Sequence, residues 1–152
     1  MSPARRRRAK IFLAFELGGR RAKMVEKVFA SVFRDWDRET GALAVSDIDS
    51  EFTHQQVRAL LRGRCGLFDL TGEKRRKDNG INLNVLLEMG ISLGLGRPTF
   101  AIYSSNAITR SEIERRIADI KGCSIYDYKD KKSLVELMTR LRLGYLKKLH
   151  RR

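Results

Sequence analysis

The sequence predicts an α/β protein built on a parallel sheet, and three observations lead to this prediction. Short apolar runs alternate along the chain with longer segments in which apolar residues recur every three or four positions. This alternation occurs five times. At 152 residues the chain has the size of one domain, and it contains neither an internal repeat nor a low-complexity linker.

The predicted strands are short apolar or aromatic runs bounded by glycine, proline or polar residues. The first, KIFLAFEL, ends at two glycines, and the third, CGLFDL, ends at an aspartate. In order, the predicted strands cover residues 10–17, 42–48, 65–70, 98–104 and 123–128.

The predicted helices follow these strands one by one. The first carries apolar residues at helical spacing from Arg20 to Trp36, and the second is a short amphipathic stretch. The third is apolar on most sides and is predicted to be capped by Asn84. Ser111 and Glu114 form a capping-box pattern for the fourth helix, which is predicted to end at Gly122. The second, third and closing helices cover residues 53–63, 84–95 and 134–149.

Five strand and helix units in alternation predict a flavodoxin-like three-layer sandwich, because parallel strands need crossover helices that cover both faces of the sheet. The expected strand order is 2-1-3-4-5. Ligands of such sheets bind outside the carboxyl ends of the strands, where the strand order reverses. The predicted ligand site therefore lies at the loops after Leu17 and Asp69 and at the start of the helix after Asn82.

The net charge is +14, and the basic residues concentrate at the two ends of the chain. We therefore predict a basic disordered arm over residues 1–9, a single domain over 10–149 and a basic tail over 150–152. Nine of the 32 basic residues lie in residues 1–10 and 147–152. Such tails attract nucleic acid or anionic surfaces without sequence selectivity, or they only keep the protein in solution. No apolar run reaches the length of a membrane span, and no cleavage site follows the basic N-terminus, so a cytoplasmic protein is expected.

Cysteine, histidine and the common motifs exclude several classes of site. Cys65, Cys123, His54 and His150 are far apart in sequence, so neither a disulfide framework nor a metal site is expected. The sequence has no GxxxxGK[ST] loop and no GxGxxG after the first strand. No serine has a nearby histidine that would activate it. No cofactor is predicted.

Glu88 is the only ionisable residue between Asn79 and Gly96. A glutamate on a helix usually lies on its solvent-exposed face, but the apolar neighbours of Glu88 leave little such face. A carboxylate that is buried without a partner costs several kcal/mol or takes up a proton. Asp69 ends the third strand, where an aspartate is also a common turn residue. Two carboxyl groups near one pocket suit chemistry at a cationic sugar carbon.

The stretches CGLFDLTG and NLNVLLEMGISLGLGRPTFAI, residues 65–103, resemble the motifs of the nucleoside 2-deoxyribosyltransferase-like and TIR-like superfamily. The resemblance implies a nucleotide-binding domain that cleaves or transfers at the N-glycosidic bond of a nucleoside, a nucleotide or NAD. It implies Glu88 as nucleophile or ribosyl-cation stabiliser and Asp69 as the acid that contacts the sugar or base. Asn82 stands where deoxyribosyltransferases tend to carry aspartate, as in the TIR-like branch.

The remaining predicted substrate-binding residues follow from their places at the strand ends. The Gly18 and Gly19 amides and the guanidinium groups of Arg20 and Arg21 are expected to bind phosphate. The full predicted substrate-binding set is Glu16, Gly18, Gly19, Arg20, Thr71, Gly72, Asn82 and Asn84. NAD is a possible substrate.

Three functions are compatible with these residues. The first is an N-glycosidase or ribosyltransferase, expected as a homo-oligomer because sites in this superfamily are often completed across subunits. The second is a non-catalytic TIR-like module that senses nucleotides or assembles. The third is a nucleic-acid-associated protein that binds through its basic tails, although neither tail carries the aromatic residues that stack on bases.

Overall fold

Five strands form one sheet in the part of the chain described by the computed structural model, which comprises residues 9–16, 18–39, 62–72, 80–117, 120 and 123–149. The strands are β1 (Lys10–Ala14), β2 (Asp37–Glu39), β3 (Cys65–Asp69), β4 (Thr99–Ser104) and β5 (Ile125–Tyr128). All neighbouring pairs are parallel, in the order β2-β1-β3-β4-β5. The predicted fold and strand order are confirmed.

Helices cover both faces of this sheet. Within the described residues they are α1 (Gly19–Val32), α2 (Leu83–Gly94), α3 (Arg110–Arg116) and α4 (Lys131–Leu149). Successive strand residues point to opposite faces, so the sheet separates two apolar cores. One joins α1 and α4 to Ile11, Leu13, Leu67 and Ile102; the other joins α2 and α3 to Phe12, Phe68, Ala101 and Tyr103.

Gly66 connects the central strand β3 to both helical layers. A Cβ atom on Gly66 would lie 2.4 Å from the Phe68 ring and 3.1 Å from Ser92 Oγ on α2. From the other layer, the Tyr145 hydroxyl on α4 donates a hydrogen bond to the Gly66 carbonyl oxygen. The missing side chain therefore lets α2 pack closely on β3.

The first half of the chain differs from the prediction in one element. The first helix ends at Val32, and a three-residue strand, Asp37–Glu39, pairs with β1 at the sheet edge. This strand was not predicted, because an edge strand with the sequence DRE has no apolar pattern. The predicted strand over 42–48, and the predicted helix over 53–63 apart from its last two residues, lie outside the described residues.

Two predicted helix caps are wrong by two residues. Asn82, not Asn84, caps α2: its side chain accepts a hydrogen bond of 3.1 Å from the Val85 amide. Helix α3 begins after Thr109, which forms a capping box with Glu112. Glu114, the predicted capping partner of Ser111, instead pairs with Arg110 at 2.8 Å.

Helix α3 also ends earlier than predicted, at Arg116 rather than near Gly122. Ile117 follows as its C-cap with an extended ψ, which stops the helical hydrogen-bond pattern although the isoleucine spacing continues. None of the helices in the described ranges is long and apolar enough to cross a membrane.

Candidate functional site

Asp69 is the centre of a buried hydrogen-bond network at the carboxyl edge of the sheet. It ends β3 and is 2% exposed. Its Oδ1 atom accepts from the Thr71 amide at 3.0 Å and from the Thr71 hydroxyl at 2.7 Å, and its Oδ2 atom accepts from the Tyr128 hydroxyl at 2.7 Å. Three donors therefore satisfy this carboxylate within the chain.

The ionisation of Asp69 reflects opposing effects. Burial raises the pKa of Asp69, while hydrogen bonds from Thr71 and Tyr128 and the positive charge of Arg21 lower it, and the net shift is upward. The pKa of Tyr128 is also raised, first by burial and then by the neighbouring Asp69 charge. Tyr128 therefore remains a hydrogen-bond donor to Asp69 at neutral pH.

Thr71 extends the network to two further elements. Its hydroxyl oxygen accepts a 2.8 Å hydrogen bond from the Ser104 amide at the end of β4. Its carbonyl oxygen accepts a 3.1 Å hydrogen bond from Arg21 on α1. Thr71 thus joins the ends of β3 and β4 to the first turn of α1, and Asp69 adds the end of β5 through Tyr128.

Glu16 lies beside this network at the end of β1. Its Oε2 atom is 3.8 Å from Arg21 Nη2, a distance that allows charge attraction but no hydrogen bond. The same oxygen is buried and has no hydrogen-bond partner among the described residues. It is therefore an acceptor that a hydroxyl or amino group of a ligand could satisfy.

The first turn of α1 provides a different kind of polar surface. Gly18 and Gly19 adopt positive φ angles of 97° and 74°, and the N-cap residue Gly18 has no side chain to cap the helix start. The turn contains no acidic residue, and Arg20 is exposed. Backbone amides at the positive end of a helix dipole favour an anion there.

The segments before and after residues 73–79 pair with each other. Thr71 forms an antiparallel bridge with Ile81, and the Gly72 amide donates to the Gly80 carbonyl at 2.7 Å. A Cβ atom on Gly72 would lie 3.1 Å from backbone atoms of Ile81 and Asn82. The predicted site residues Thr71, Gly72 and Asn82 therefore lie together. Residues 73–79, most of the loop that the sequence predicts, lie outside the described residues.

Glu88 lies on the buried side of α2 and is 6% exposed, as its apolar neighbours predicted. Burial raises its pKa from 4.5 to about 7. It is six residues after the Asn82 cap, which is about 9 Å along the helix axis. One turn further on, Ser92 bonds Thr99 on β4 at 2.8 Å and fixes this part of α2 against the sheet.

The two predicted acids belong to different layers. Cys65, Leu67 and Asp69 are alternate residues of β3, so all three point to the face of the sheet that α1 and α4 cover. Glu88 is on α2, which covers the other face. Asn84 is exposed on the surface of α2 and is not part of the Asp69 network. The structure therefore groups Asp69, Thr71, Glu16 and Arg21, whereas Glu88 lies in the opposite layer, about 9 Å along α2 from the cap residue Asn82.

Tyr128 and Ser104 are the members of the network that the sequence did not reveal. Each is the last residue of its strand, which places it at the same edge as Asp69. In the strand IYDY the outer residues are buried and the inner two are exposed. The sequence signal that could have identified Tyr128 as a site residue is its position as the last residue of a predicted strand. Among the described residues, no group of three or more His, Cys, Asp or Glu is arranged to hold a metal ion.

Comparison with known proteins gives a likeness in fold. No protein-family model and no curated protein sequence matches the chain. Among solved structures, the chain is similar to the CMP N-glycosidase BcmB of Clostridium botulinum, with a TM-score of 0.56 and 12% sequence identity. The match covers 85% of this chain and 97% of that enzyme. The five-stranded parallel α/β fold described above is therefore shared with a nucleotide-cleaving enzyme.

Proposed function

We propose that this protein cleaves the N-glycosidic bond of a nucleotide, a nucleoside or NAD, with Glu88 as the catalytic carboxylate. The observation that carries the proposal is the burial of Glu88 in an otherwise uncharged helix, which raises its pKa to about 7. Perturbed carboxyl groups of this kind are typical of catalytic sites. The shared fold with a CMP N-glycosidase supports the same reaction class.

The proposed chemistry takes place at the anomeric carbon of the sugar. The bond between C1′ and the base nitrogen breaks, and its electron pair leaves with the base. The ionised Glu88 carboxylate stabilises the positive charge at C1′ or bonds to it covalently. In hydrolysis, water then supplies the new oxygen on C1′ and releases a proton; in transfer, a second base takes that place.

The other groups serve binding in this proposal. Asp69 and Thr71 contact the sugar or base through the side of the network that faces the sheet edge. The Glu16 oxygen, which has no hydrogen-bond partner within the described ranges, accepts a hydrogen bond from a hydroxyl or amino group. The amides of Gly18 and Gly19, with Arg20, bind the phosphate. NAD fits this scheme as a substrate and not as a cofactor.

The test is chromatographic detection of free base after incubation with CMP, other nucleoside monophosphates, deoxynucleosides and NAD. We expect release by the native protein and its loss in Glu88→Gln, which keeps the shape of the side chain. Glu136→Gln is the matched control, because Glu136 is an exposed glutamate on α4. Equal release by native protein and Glu88→Gln would refute a catalytic role of Glu88.

A second candidate function is a nucleotide-binding module without turnover, of the TIR-like kind. The observation that favours it is that Asp69 already accepts three hydrogen bonds within the chain, which suits a structural carboxylate. This function predicts that a nucleotide raises the unfolding temperature while no substrate in the panel is cleaved. Base release above the Glu88→Gln background would exclude it.

A further inference from the structure

Positive charge is concentrated at the edge of the sheet where the strands begin. All five strands are parallel, so they begin at one edge and end at the other, where the candidate site lies. We call the described segments at the starting edge the amino edge; they are residues 9–10, 33–37, 62–65, 95–99, 115–117, 123–125 and 146–149. Two of its residues are acidic and nine are basic, namely Lys10, Arg34, Arg62, Arg64, Arg97, Arg115, Arg116, Lys147 and Lys148.

The opposite edge of the same sheet has a nearly balanced charge. Its described segments, from the strand ends to the first turns of the helices, hold six basic and five acidic residues. These segments are residues 15–16, 18–21, 69–72, 80–84, 104–112 and 127–132. Positive charge that only kept the protein in solution would have no reason to collect on one edge. The asymmetry therefore indicates a surface for an anionic partner.

Backbone hydrogen bonds hold neighbouring segments of the amino edge together. The Asp37 amide donates to the Ala9 carbonyl at 2.8 Å, and the Arg64 amide donates to the Lys10 carbonyl at 2.9 Å. These bonds join the starts of β1, β2 and β3. The basic side chains of these segments are thus carried by a fixed backbone.

The end of α4 adds its charges to the same edge. The Lys148 ammonium lies 4.7 Å from the centre of the Phe100 ring, and Phe100 is the second residue of β4. Ala9 and Leu149, the first and last described residues, pack against the same apolar core. The basic tails of the sequence are joined to the chain at these two residues, so their charge adds to that of the amino edge.

The acidic residues at the amino edge are too few to neutralise it. Seven of the nine basic residues are exposed, and the exceptions are Lys10 and Arg97. Of the two acidic residues, Asp35 already pairs with Arg142 on α4 at 2.8 Å. The described part of this edge therefore keeps a positive potential that attracts phosphate groups.

The charges are spread over the whole width of the sheet. Five strands about 4.8 Å apart make an edge about 19 Å wide. A nucleic-acid duplex presents about eleven phosphates over that length, because it carries one charge per roughly 1.7 Å. A single phosphate would engage only a small part of this surface, whereas a phosphate polymer engages most of it.

We propose that the amino edge binds the phosphate backbone of a nucleic acid without selectivity for base sequence. Six of its nine basic residues are arginines, whose guanidinium groups bind phosphate oxygens in pairs. Both aromatic residues of the edge, Phe33 and Trp36, are buried, so the described edge offers no ring on which a base could stack. The contact is therefore with phosphates and not with bases.

The composition of the edge favours a nucleic acid over an anionic membrane. Binding in a membrane interface usually inserts an apolar face beside the charges. Among the described large apolar side chains of the amino edge, Leu95 alone is exposed. The proposal is independent of the proposed glycosidase activity, because the candidate site lies at the other edge of the sheet.

The first experiment measures fluorescence anisotropy of a labelled duplex of about 20 base pairs with the full chain, between roughly 50 and 200 mM salt. We expect binding whose logarithm falls linearly with the logarithm of salt concentration. The triple variant Arg34→Gln/Arg64→Gln/Lys147→Gln should make that slope shallower by up to about 2.7, since each phosphate contact contributes about 0.9. A native protein that does not bind would overturn the proposal.

The matched control removes the same charge at the other edge. Lys129→Gln/Lys131→Gln/Lys132→Gln replaces three exposed lysines and should keep the native slope. Both triple variants retain the two basic tails. If the amino-edge variant also keeps the native slope, the tails account for the binding and the proposal fails. Equal losses in the two variants would show that only the net charge matters, which also overturns it.

A charge-conserving variant separates loss of charge from damage to the fold. Arg34→Lys/Arg64→Lys should keep the native salt slope, because contact with phosphates depends on charge. A loss as large as that in the glutamine variant would contradict the proposal. The unfolding temperatures of all these variants should match that of the native protein.

Vesicles of phosphatidylcholine and phosphatidylserine test the alternative partner. Co-sedimentation at the same total phosphate concentration as the duplex should show weaker binding to the vesicles than to the duplex. Tighter binding to the vesicles, with the same dependence on Arg34, Arg64 and Lys147, would assign the amino edge to a membrane surface and overturn the proposal.

Discussion

The Tyr128 hydroxyl at the end of β5 donates a 2.7 Å hydrogen bond to Asp69 Oδ2 at the end of β3, across the intervening strand β4. The two residues are 59 positions apart in sequence. With Thr71 on the other carboxylate oxygen, this bond fixes the orientation of Asp69. It also links the edge strand of the sheet to the candidate site.

Tyr128→Phe should lower the free energy of unfolding by about 1.5 to 3 kcal/mol, because it leaves a buried carboxylate oxygen without its donor. The pKa of Asp69 should rise further, since one of the hydrogen bonds that lower it is lost. Urea unfolding measures the change. Tyr126→Phe is the control, because Tyr126 is exposed on the same strand. Equal effects of the two substitutions would show that the Asp69 bond contributes nothing.

Glu88 should make the stability of the native protein depend on pH. Its pKa is about 7 in the folded chain and 4.5 ordinarily, so between these values the folded state holds a proton that the unfolded state has lost. Stability therefore falls as pH rises from 4.5 to 7. Glu88→Gln lacks this dependence and should be more stable than the native protein at pH 8, by up to roughly 3 kcal/mol.

The comparison of Glu88→Gln with native protein needs unfolding curves at pH 4.5 and pH 8 and no substrate. At pH 4.5 both chains carry a neutral side chain at position 88, so their stabilities should be close. A stability difference that is the same at both pH values would contradict the raised pKa of Glu88.

The rate of base release should also follow the ionisation of Glu88. If the ionised carboxylate acts at C1′, the rate falls about tenfold per pH unit below a pKa of about 7 and levels off above it. The measurement is the pH profile of kcat/KM for the best substrate of the panel. A rate that rises toward acid pH would assign Glu88 the role of proton donor instead.

Gly66→Ala should destabilise the fold by about 1 to 3 kcal/mol, because its Cβ atom would overlap the Phe68 ring. Gly94→Ala is the control, since the added methyl group meets nothing within 4 Å and improves helix propensity. Circular dichroism during thermal unfolding distinguishes them. A neutral Gly66→Ala would mean that α2 does not depend on close contact with β3.

Asn82→Ala should lower the free energy of unfolding by about 1 kcal/mol, because it removes the acceptor for the Val85 amide. Asn84→Ala should change it by less than about 0.5 kcal/mol, because Asn84 is exposed. Denaturant unfolding of the two variants compares the two possible caps directly. A larger effect at position 84 would restore the cap that the sequence suggested.

The alternation of apolar runs and amphipathic segments was enough to predict the parallel sheet and its order, since parallel strands admit few connections. The burial of Glu88 also followed from its neighbours alone. Cap positions did not, because Asn82 and Asn84, or Thr109 and Ser111, satisfy the same local pattern and only the backbone angles distinguish them. The contact between Tyr128 and Asp69 depends on how strands that are far apart in sequence align with each other. A local sequence pattern does not predict that alignment.

The two contacts of Gly66 have a mechanical consequence. A sheet normally separates the helices on one face from those on the other, yet Gly66 accepts a hydrogen bond from Tyr145 on α4 and, because it has no side chain, leaves room for Ser92 of α2 on the opposite face. Ser92 is one turn from Glu88. A substitution at Tyr145 on the basic helix α4 is therefore expected to disturb, through Gly66, the packing of the helix that carries Glu88.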